Sequence, residues 1–251
     1  MSEAPYLSLR NVSKSFGGVT ALSEVTFDVL PGQIVGLIGP NGAGKTTMFN
    51  VITGAVRAAS GKVLLDGEDV TRYAPHRIAR SGISRTFQNI RLFTGMSVWE
   101  HLLVAQPRRE SPLRRFLPTR WADPAARRRA EEVLEFFGLA DMQDRLARSL
   151  PYGAQRKVEM ARAVTARPRL LLLDEPVAGM NHDEAEEIRR LMLRLRAQGL
   201  SILLIEHDMT FVMNLCDYLY VLDFGVMIAQ GRPDEIRVNP DVLDAYLGRS
   251  E

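Results

Sequence analysis

The segment IVGLIGPNGAGKTTMFNVITG (34–54) constrains the chain more than any other. An apolar run, IVGLI, passes directly into Gly39, Pro40, Asn41, Gly42, Ala43 and Gly44, and then into Lys45, Thr46 and Thr47 at the head of a helical stretch. This is G-x-x-x-x-G-K-[ST] between a strand and a helix, the setting in which such a loop acquires a physical role. Glycines offer no side chains to obstruct the loop, so successive N–H groups can point inward, and the helix beginning near Lys45 adds its positive end. The loop predicts a site for a nucleoside triphosphate, with Lys45 bridging the β- and γ-phosphates and the Thr46 hydroxyl on Mg2+.

The remaining apolar runs supply a sheet for that loop. LLLLD (170–174) and ILLIE (202–206), like IVGLI, are apolar without alternation, as strands buried on both faces are. Between them, DEAEEIRRLMLRLRAQG places Ala185, Ile188, Leu191 and Leu195 on one helical face, with acids first, arginines late and Gly199 as the stop. Strands alternating with helices predict an α/β fold with a mainly parallel sheet. The first thirty residues alternate instead (Leu7, Leu9, then Val25, Phe27, Val29) and predict an antiparallel β part, with Asp66-Gly67 as a hairpin turn. From about 90 to 165 no convincing strand occurs, and DPAARRRAEEVLEFFG reads as a helix capped by Asp123, opened by Pro124 and stopped by Gly138. The organisation expected is an α/β core over about 1–89 and 166–251, with a helical subdomain inserted at about 90–165. Asp223-Phe224-Gly225 reads as the turn between two strands.

Polar residues at the ends of these runs are the candidates for chemistry. LLLLDEP (170–176) delivers two adjacent carboxylates, and strand side chains alternate. Asp174 is therefore expected toward the Mg2+ shell, through water, and Glu175 toward an attacking water. His207 in ILLIEHDM stands at a strand end, where loops meet in such sheets, and a γ-phosphate contact is expected there. Gln88 in SRTFQNIRLF is either a solvated loop amide or a contact to Mg2+ or the lytic water. Phe16 in KSFGG could stack on an adenine ring.

Bulk properties exclude several classes. A net charge of +2 offers no electrostatic case for nucleic acid. The single cysteine, Cys216, excludes an internal disulfide framework and suits a reducing compartment. No apolar run approaches the ~20 residues of a membrane span, and MSEAPYLSLR lacks the apolar core of a secretory leader. A protein of this kind working at a membrane must be held there by something else. Eight arginines (108, 109, 114, 115, 120, 127, 128, 129) stand against Glu110 and Asp123, as a solvated face or as a contact to anionic headgroups.

SFGG, GPNGAGKTT, the glutamine of TFQNIRLF, LPYGAQRK, LLLLDEP, AGMN and IEHDM, in this order, resemble the ATP-binding subunit of an ABC transporter, a P-loop NTPase. The resemblance covers essentially the whole chain. It implies ATP and Mg2+ as ligands, Glu175, His207 and Gln88 as catalytic groups, and two such subunits clamping two ATP molecules head to tail. Each site then combines one chain's phosphate loop with the other's signature loop, here Leu150, Pro151, Tyr152, Gly153, Ala154 and Gln155. The family pattern is similar to L-S-x-G-Q, so Pro151 and Ala154 are departures. A proline has neither the hydroxyl nor an N–H, and the two composite sites are expected to be unequal.

TFQNIRLFTGMSVWEHLLVA, the arginine-rich insertion, IEHDMTFVM and the ending NPDVLDAYLG further resemble the larger ATPase of branched-chain amino acid importers. Urea, amide and aromatic-acid importers have close relatives of the same pattern. The resemblance implies a second, different ATPase as partner, two transmembrane permease subunits, an extracytoplasmic solute-binding protein, and a peripheral place on the cytoplasmic side of the inner membrane. Two other classes compete: a soluble ATPase acting on ribosomes or DNA, and a nucleotide-binding regulatory subunit with weak hydrolysis.

Overall fold

The structure, a computed structural model, describes residues 4–106 and 123–247. Its centre is a six-stranded sheet in the order β10-β9-β3-β8-β7-β6. The strands are β3 (Ile34–Ile38), β6 (Ile83–Arg85), β7 (Leu170–Asp174), β8 (Ser201–Ile205), β9 (Tyr218–Asp223) and β10 (Val226–Gly231). Every neighbour pair is parallel except β9 with β10. A second sheet, antiparallel, has the order β2-β1-β4-β5, from β1 (Leu7–Phe16), β2 (Val19–Val29), β4 (Ser60–Leu65) and β5 (Glu68–Asp69). β4 and β5 join through Asp66 and Gly67, at φ 51° and 80°, the hairpin expected from the sequence. Phe224 and Gly225 likewise form the turn between β9 and β10.

The six-stranded sheet divides two cores, which explains its uninterrupted apolar runs. Val35, Leu37, Leu170, Leu172, Leu203, Ile205 and Leu222 face helix α1 (Lys45–Ile52) and the antiparallel sheet. Ile34, Ile38, Leu171, Leu173, Ile202, Leu204 and Val221 face the other way. The helices on that side are α3 (Val98–Ala105), α4 (Pro124–Phe137), α5 (Tyr152–Thr165) and α6 (His182–Ala197). A strand with apolar partners above and below needs an apolar residue at every position.

The helix signals act where they were read. Asp123 Oδ1 accepts the Ala125 N–H at 3.0 Å, and α4 ends on Gly138 at φ 65°. α6 opens one residue before the first acid: Asn181 caps it, accepting the Glu184 N–H at 3.0 Å while Glu184 accepts the Asn181 N–H at 3.1 Å. Ile188, Leu191 and Leu195 are buried, as the periodicity requires. Of the arginine-rich stretch, positions 108, 109, 114, 115 and 120 lie outside the described residues. On α4, Arg127 stands over the Trp99 ring of α3, and Arg129 donates to Gln106 Oε1 at 3.3 Å. No helix among the described residues is long and apolar enough to cross a membrane. The short helices α2 (Pro75–Arg80), α7 (Met209–Met213), α8 (Pro233–Arg237) and α9 (Pro240–Leu247) complete the chain.

Leu203, fully buried at the middle of β8, contacts one core and none of the polar edge. Leu203→Ala is expected to cost about 2–5 kcal/mol of stability, read as a lower thermal midpoint of the purified chain.

Candidate active site

The phosphate loop is pressed into place by two neighbouring strands. At Gly39, with φ 146°, a side chain would run into the Leu222 carbonyl of β9. At Gly44, with φ 102°, it would lie 2.5 Å from the Ala21 carbonyl of β2. No other residue tolerates both the conformation and the approach. The Gly225 N–H holds the Ala43 carbonyl at 3.0 Å, and its own carbonyl takes the Ser23 N–H at 2.8 Å. The β1–β2 hairpin thus borders the loop and carries Phe16 near its tip, half exposed, with Lys14 Nζ 4.8 Å from the ring centroid. Gly42 meets nothing within 4 Å, so one side of the loop is open.

Lys45 folds back over this opening. Its Nζ donates to the Gly39 carbonyl at 2.7 Å and the Pro40 carbonyl at 2.8 Å. Burial pushes its pKa down, while the carboxylates of Glu175 and Asp174 pull it back up. A cation held by two neutral carbonyls close to two carboxylates is readily offered to an anion. Thr46 and Thr47 follow on the first turn of α1, where no acidic side chain competes for the helix end.

The carboxylates arise where β7 stops. Asp174 is buried as its last residue, and Arg85 on β6 donates to Oδ2 at 3.0 Å and to Asn50 Oδ1 of α1 at 2.7 Å. Glu175 leaves the strand in a left-handed conformation, φ 47°, with its N–H on the Ile205 carbonyl at 2.9 Å. The two carboxylates are therefore separated by the end of the strand and a backbone reversal, and not by the pleat alternation expected from the sequence. Gln88 Nε2 donates to Glu175 Oε2 at 2.9 Å, and His207 Nδ1 lies 4.0 Å from the same oxygen. β8 ends at Ile205, so His207 stands two residues beyond it. Glu206 fills the gap: buried, it accepts the Val177 N–H and the His207 N–H, each at 3.1 Å. Burial pushes its carboxyl pKa up, against the pull of those amides.

Leu150–Gln155 opens α5 on the far side of this edge. Pro151 is the cap residue and makes no side-chain cap bond. The first intrahelical bond runs from the Gln155 N–H to the Pro151 carbonyl at 3.0 Å, so the N–H groups of Tyr152, Gly153 and Ala154 precede it. Gln155 Nε2 returns to the Leu150 carbonyl at 2.9 Å, and Tyr152 OH donates to the Ala178 carbonyl at 3.1 Å. At Gly153 a Cβ would sit 2.8 Å from Glu184 Oε1, so a larger residue there would have to push aside the end of that flexible side chain. Among the described residues, no hydrogen bond or ion pair joins 150–155 to the loop at 39–44.

The residue that ties these parts together is Arg156, which the sequence did not single out. It is buried and donates to the carbonyls of Phe87 and Gln88, each at 2.9 Å, and to Glu159 Oε2 at 2.8 Å. A longer bond, 3.5 Å, reaches the Glu175 carbonyl. Glu159, fully buried, also accepts the Arg91 N–H at 3.3 Å. Arg85 and Glu206 were missed as well. Glu206 ends the apolar run ILLIE, a signal as visible as that of Asp174, whereas Arg85 ends the short Ile83-Ser84-Arg85 strand, which no apolar run marks. Arg156 was hidden in a helix rich in charge, where solvation is the default reading.

Among the described residues, no three His, Cys, Asp or Glu side chains cluster to hold a metal unaided. Thr46 at the head of α1 and Asp174, whose charge reaches the adjacent Lys45, would suit Mg2+, which takes one or two protein oxygens and the substrate's phosphates for the rest.

A two-sided, mainly parallel sheet carrying a glycine-rich loop closed by a lysine, next to a carboxylate edge, defines a nucleotide-binding cassette. Residues 22–178 match the family model for ABC transporters, and the chain belongs to that family. Residues 226–251 match a model described as the branched-chain amino acid ATP-binding cassette transporter. The chain is 43% identical over 254 residues to a high-affinity branched-chain amino acid transport ATP-binding protein, BraF of Pseudomonas aeruginosa, covering 98% of this chain and 99% of that one. It is 44% identical over 252 residues to LivG of Escherichia coli K12, described in the same words, with coverage of 98% and 99%. Among solved structures, a nucleotide-free ATP-binding cassette from an ABC transporter superposes with a TM-score of 0.87 at 35% identity, covering 98% of this chain and all of that one.

Arg156→Met would strand Glu159 in the core and is expected to cost about 3–5 kcal/mol. Adding Glu159→Leu should restore part of the thermal midpoint, because an apolar pair replaces the broken ion pair. ATPase activity should stay low in the double variant, since the Phe87 and Gln88 carbonyls remain without their donor. Recovery of both properties together would contradict this role.

Proposed function

We propose that this chain is the ATP-hydrolysing subunit of an ABC importer whose cargo is branched-chain, hydrophobic amino acids. The observation that carries the catalytic reading is Glu175, turned out of its strand so that one carboxylate oxygen faces Gln88 and His207 while its charge reaches Lys45. The cargo is supported by the C-terminal family match and by the names of the relatives.

In this reading the N–H groups of 39–47 and Lys45 hold the triphosphate, and Phe16 stacks on the adenine. Lys45 exchanges the Gly39 and Pro40 carbonyls for phosphate oxygens. Glu175 accepts hydrogen from the attacking water, Gln88 orients that carboxylate, and His207 steadies the γ-phosphate. Mg2+, when bound by Thr46, Asp174 and Gln88, in part through water, offsets the phosphate charge. The helical segment at about 90–165 passes the motion onward, because Arg156 anchors α5 to the carbonyl of Gln88.

The chain works as one of a head-to-tail pair, with a different ATPase as partner. It is held at the cytoplasmic face of the plasma membrane by two permease subunits, and an extracytoplasmic binding protein selects the solute. The pair is heteromeric because Pro151 leaves the signature helix without a side-chain cap, while the phosphate loop is intact. The same feature supports a second reading, in which this subunit chiefly regulates.

Glu175→Gln in this subunit alone separates the two. ATP binding should persist while the complex's ATPase falls by about 10²–10⁴-fold; a near-normal rate would assign this subunit the regulatory role. Pro151→Ser with Ala154→Gln should raise turnover of the assembled complex by up to about ten- to a hundredfold, the worth of one hydrogen bond to a charged group. Unchanged turnover would remove the inequality of the two sites.

A further inference from the structure

Two consecutive residues at the end of β8 hold the turn of Glu175 from both sides. The Ile205 carbonyl accepts the Glu175 N–H at 2.9 Å, and Glu206 Oε1 accepts the Val177 N–H at 3.1 Å. Pro176, between them, has no N–H to place. The second oxygen, Glu206 Oε2, accepts the His207 N–H at 3.1 Å and lies 3.7 Å from the Nδ1 of the same residue. One buried carboxyl group thus holds the main chain on both sides of a single gap, the 4.0 Å between His207 Nδ1 and Glu175 Oε2.

The parts on either side of that gap depend on such a hold. The His207 side chain is 62% exposed, so its place is set chiefly by its main chain. Glu175 sits at φ 47°, a conformation that a residue with a side chain keeps where its surroundings impose it. Burying a carboxyl group is costly, and an apolar residue continuing the run of β8 would avoid that cost. What the carboxyl group offers in return is two acceptor oxygens for two N–H groups. Glutamine has the same shape and cannot copy this, because its NH2 would face one of the two donors.

We propose that Glu206 is a positioning residue for ATP hydrolysis: by holding the Val177 and His207 N–H groups on its two oxygens, it fixes the separation between the Glu175 carboxylate and the His207 imidazole. Only 1% of Glu206 is exposed, so it acts through these two residues and not on the nucleotide. Its loss should therefore appear in turnover and not in ATP affinity.

The inference rests on reading Glu175 and His207 as the hydrolytic groups, and the experiment keeps the two apart. ATPase of the assembled importer is followed against ATP concentration for wild type, Glu206→Gln, His207→Ala, the double variant and Val63→Ala, which removes buried bulk from β4 of the antiparallel sheet. Glu206→Gln is expected to lower kcat about ten- to a hundredfold, with KM for ATP unchanged. Val63→Ala should lower the thermal midpoint and keep kcat. The separation matters only while both groups are present, so Glu206→Gln should cost less than about threefold when added to His207→Ala. Wild-type kcat in Glu206→Gln, an equal kcat loss in Val63→Ala, or the full further loss in the double variant overturns the proposal. In the full-length chain the Val177 and His207 amides should exchange slowly with deuterium. Rapid exchange at either one overturns the proposal even if Glu206→Gln does not fold. If His207→Ala alone keeps the wild-type rate, the reading of His207 falls and this inference with it.

Discussion

A sheet filled on both faces admits polar side chains only where its strands end. β3, β8 and β7 lie side by side in parallel register, each buried along its whole length. Adjacent strands are about 4.8 Å apart, so their carboxyl ends deliver the phosphate loop, the Asp174–Glu175 pair and Glu206–His207 within reach of one another. The site inherits its geometry from hydrophobic packing. Replacing core contacts beneath these strands would disturb the polar groups at their ends before it touched any of them directly.

At that edge most charges meet partners within the chain. Lys45 leans on its own loop's carbonyls. Asp174 is matched by Arg85, whose guanidinium also holds α1 through Asn50. Glu175 is left with the neutral amide of Gln88 and the exposed ring of His207. In the proposed mechanism, the carboxylate without a full ionic partner is the one that acts on water, whereas the paired one is held as a fixed negative charge.

Arg156 links this edge to the helical side. One guanidinium spans the Gln88 loop, the Glu175 turn and its own helix, which begins with Leu150–Gln155. The planar, multiply donating head suits this, because several carbonyls can be held at once in fixed directions. A displacement of α5 must then move the loop that carries Gln88. This is a mechanical reason for signature helix, glutamine and carboxylate to respond together.

Most of the fold was legible in the chain. Caps at Asp123, turns at Asp66-Gly67 and Phe224-Gly225, and runs without alternation are local signals, and the structure uses each as read. The polar residues placed at strand ends also came together, since strand order and burial leave them nowhere else to go. Less legible were Arg85 and Arg156, because their roles depend on which distant groups lie opposite, and no periodicity encodes that. The amino-acid order by itself determined the phosphate loop, the two-sided sheet and the family, since these follow from residue type at short spacing. Only the tertiary structure decided that Glu175 escapes its strand by a left-handed turn and that one buried arginine joins three segments. Such contacts are set by packing between segments far apart in sequence.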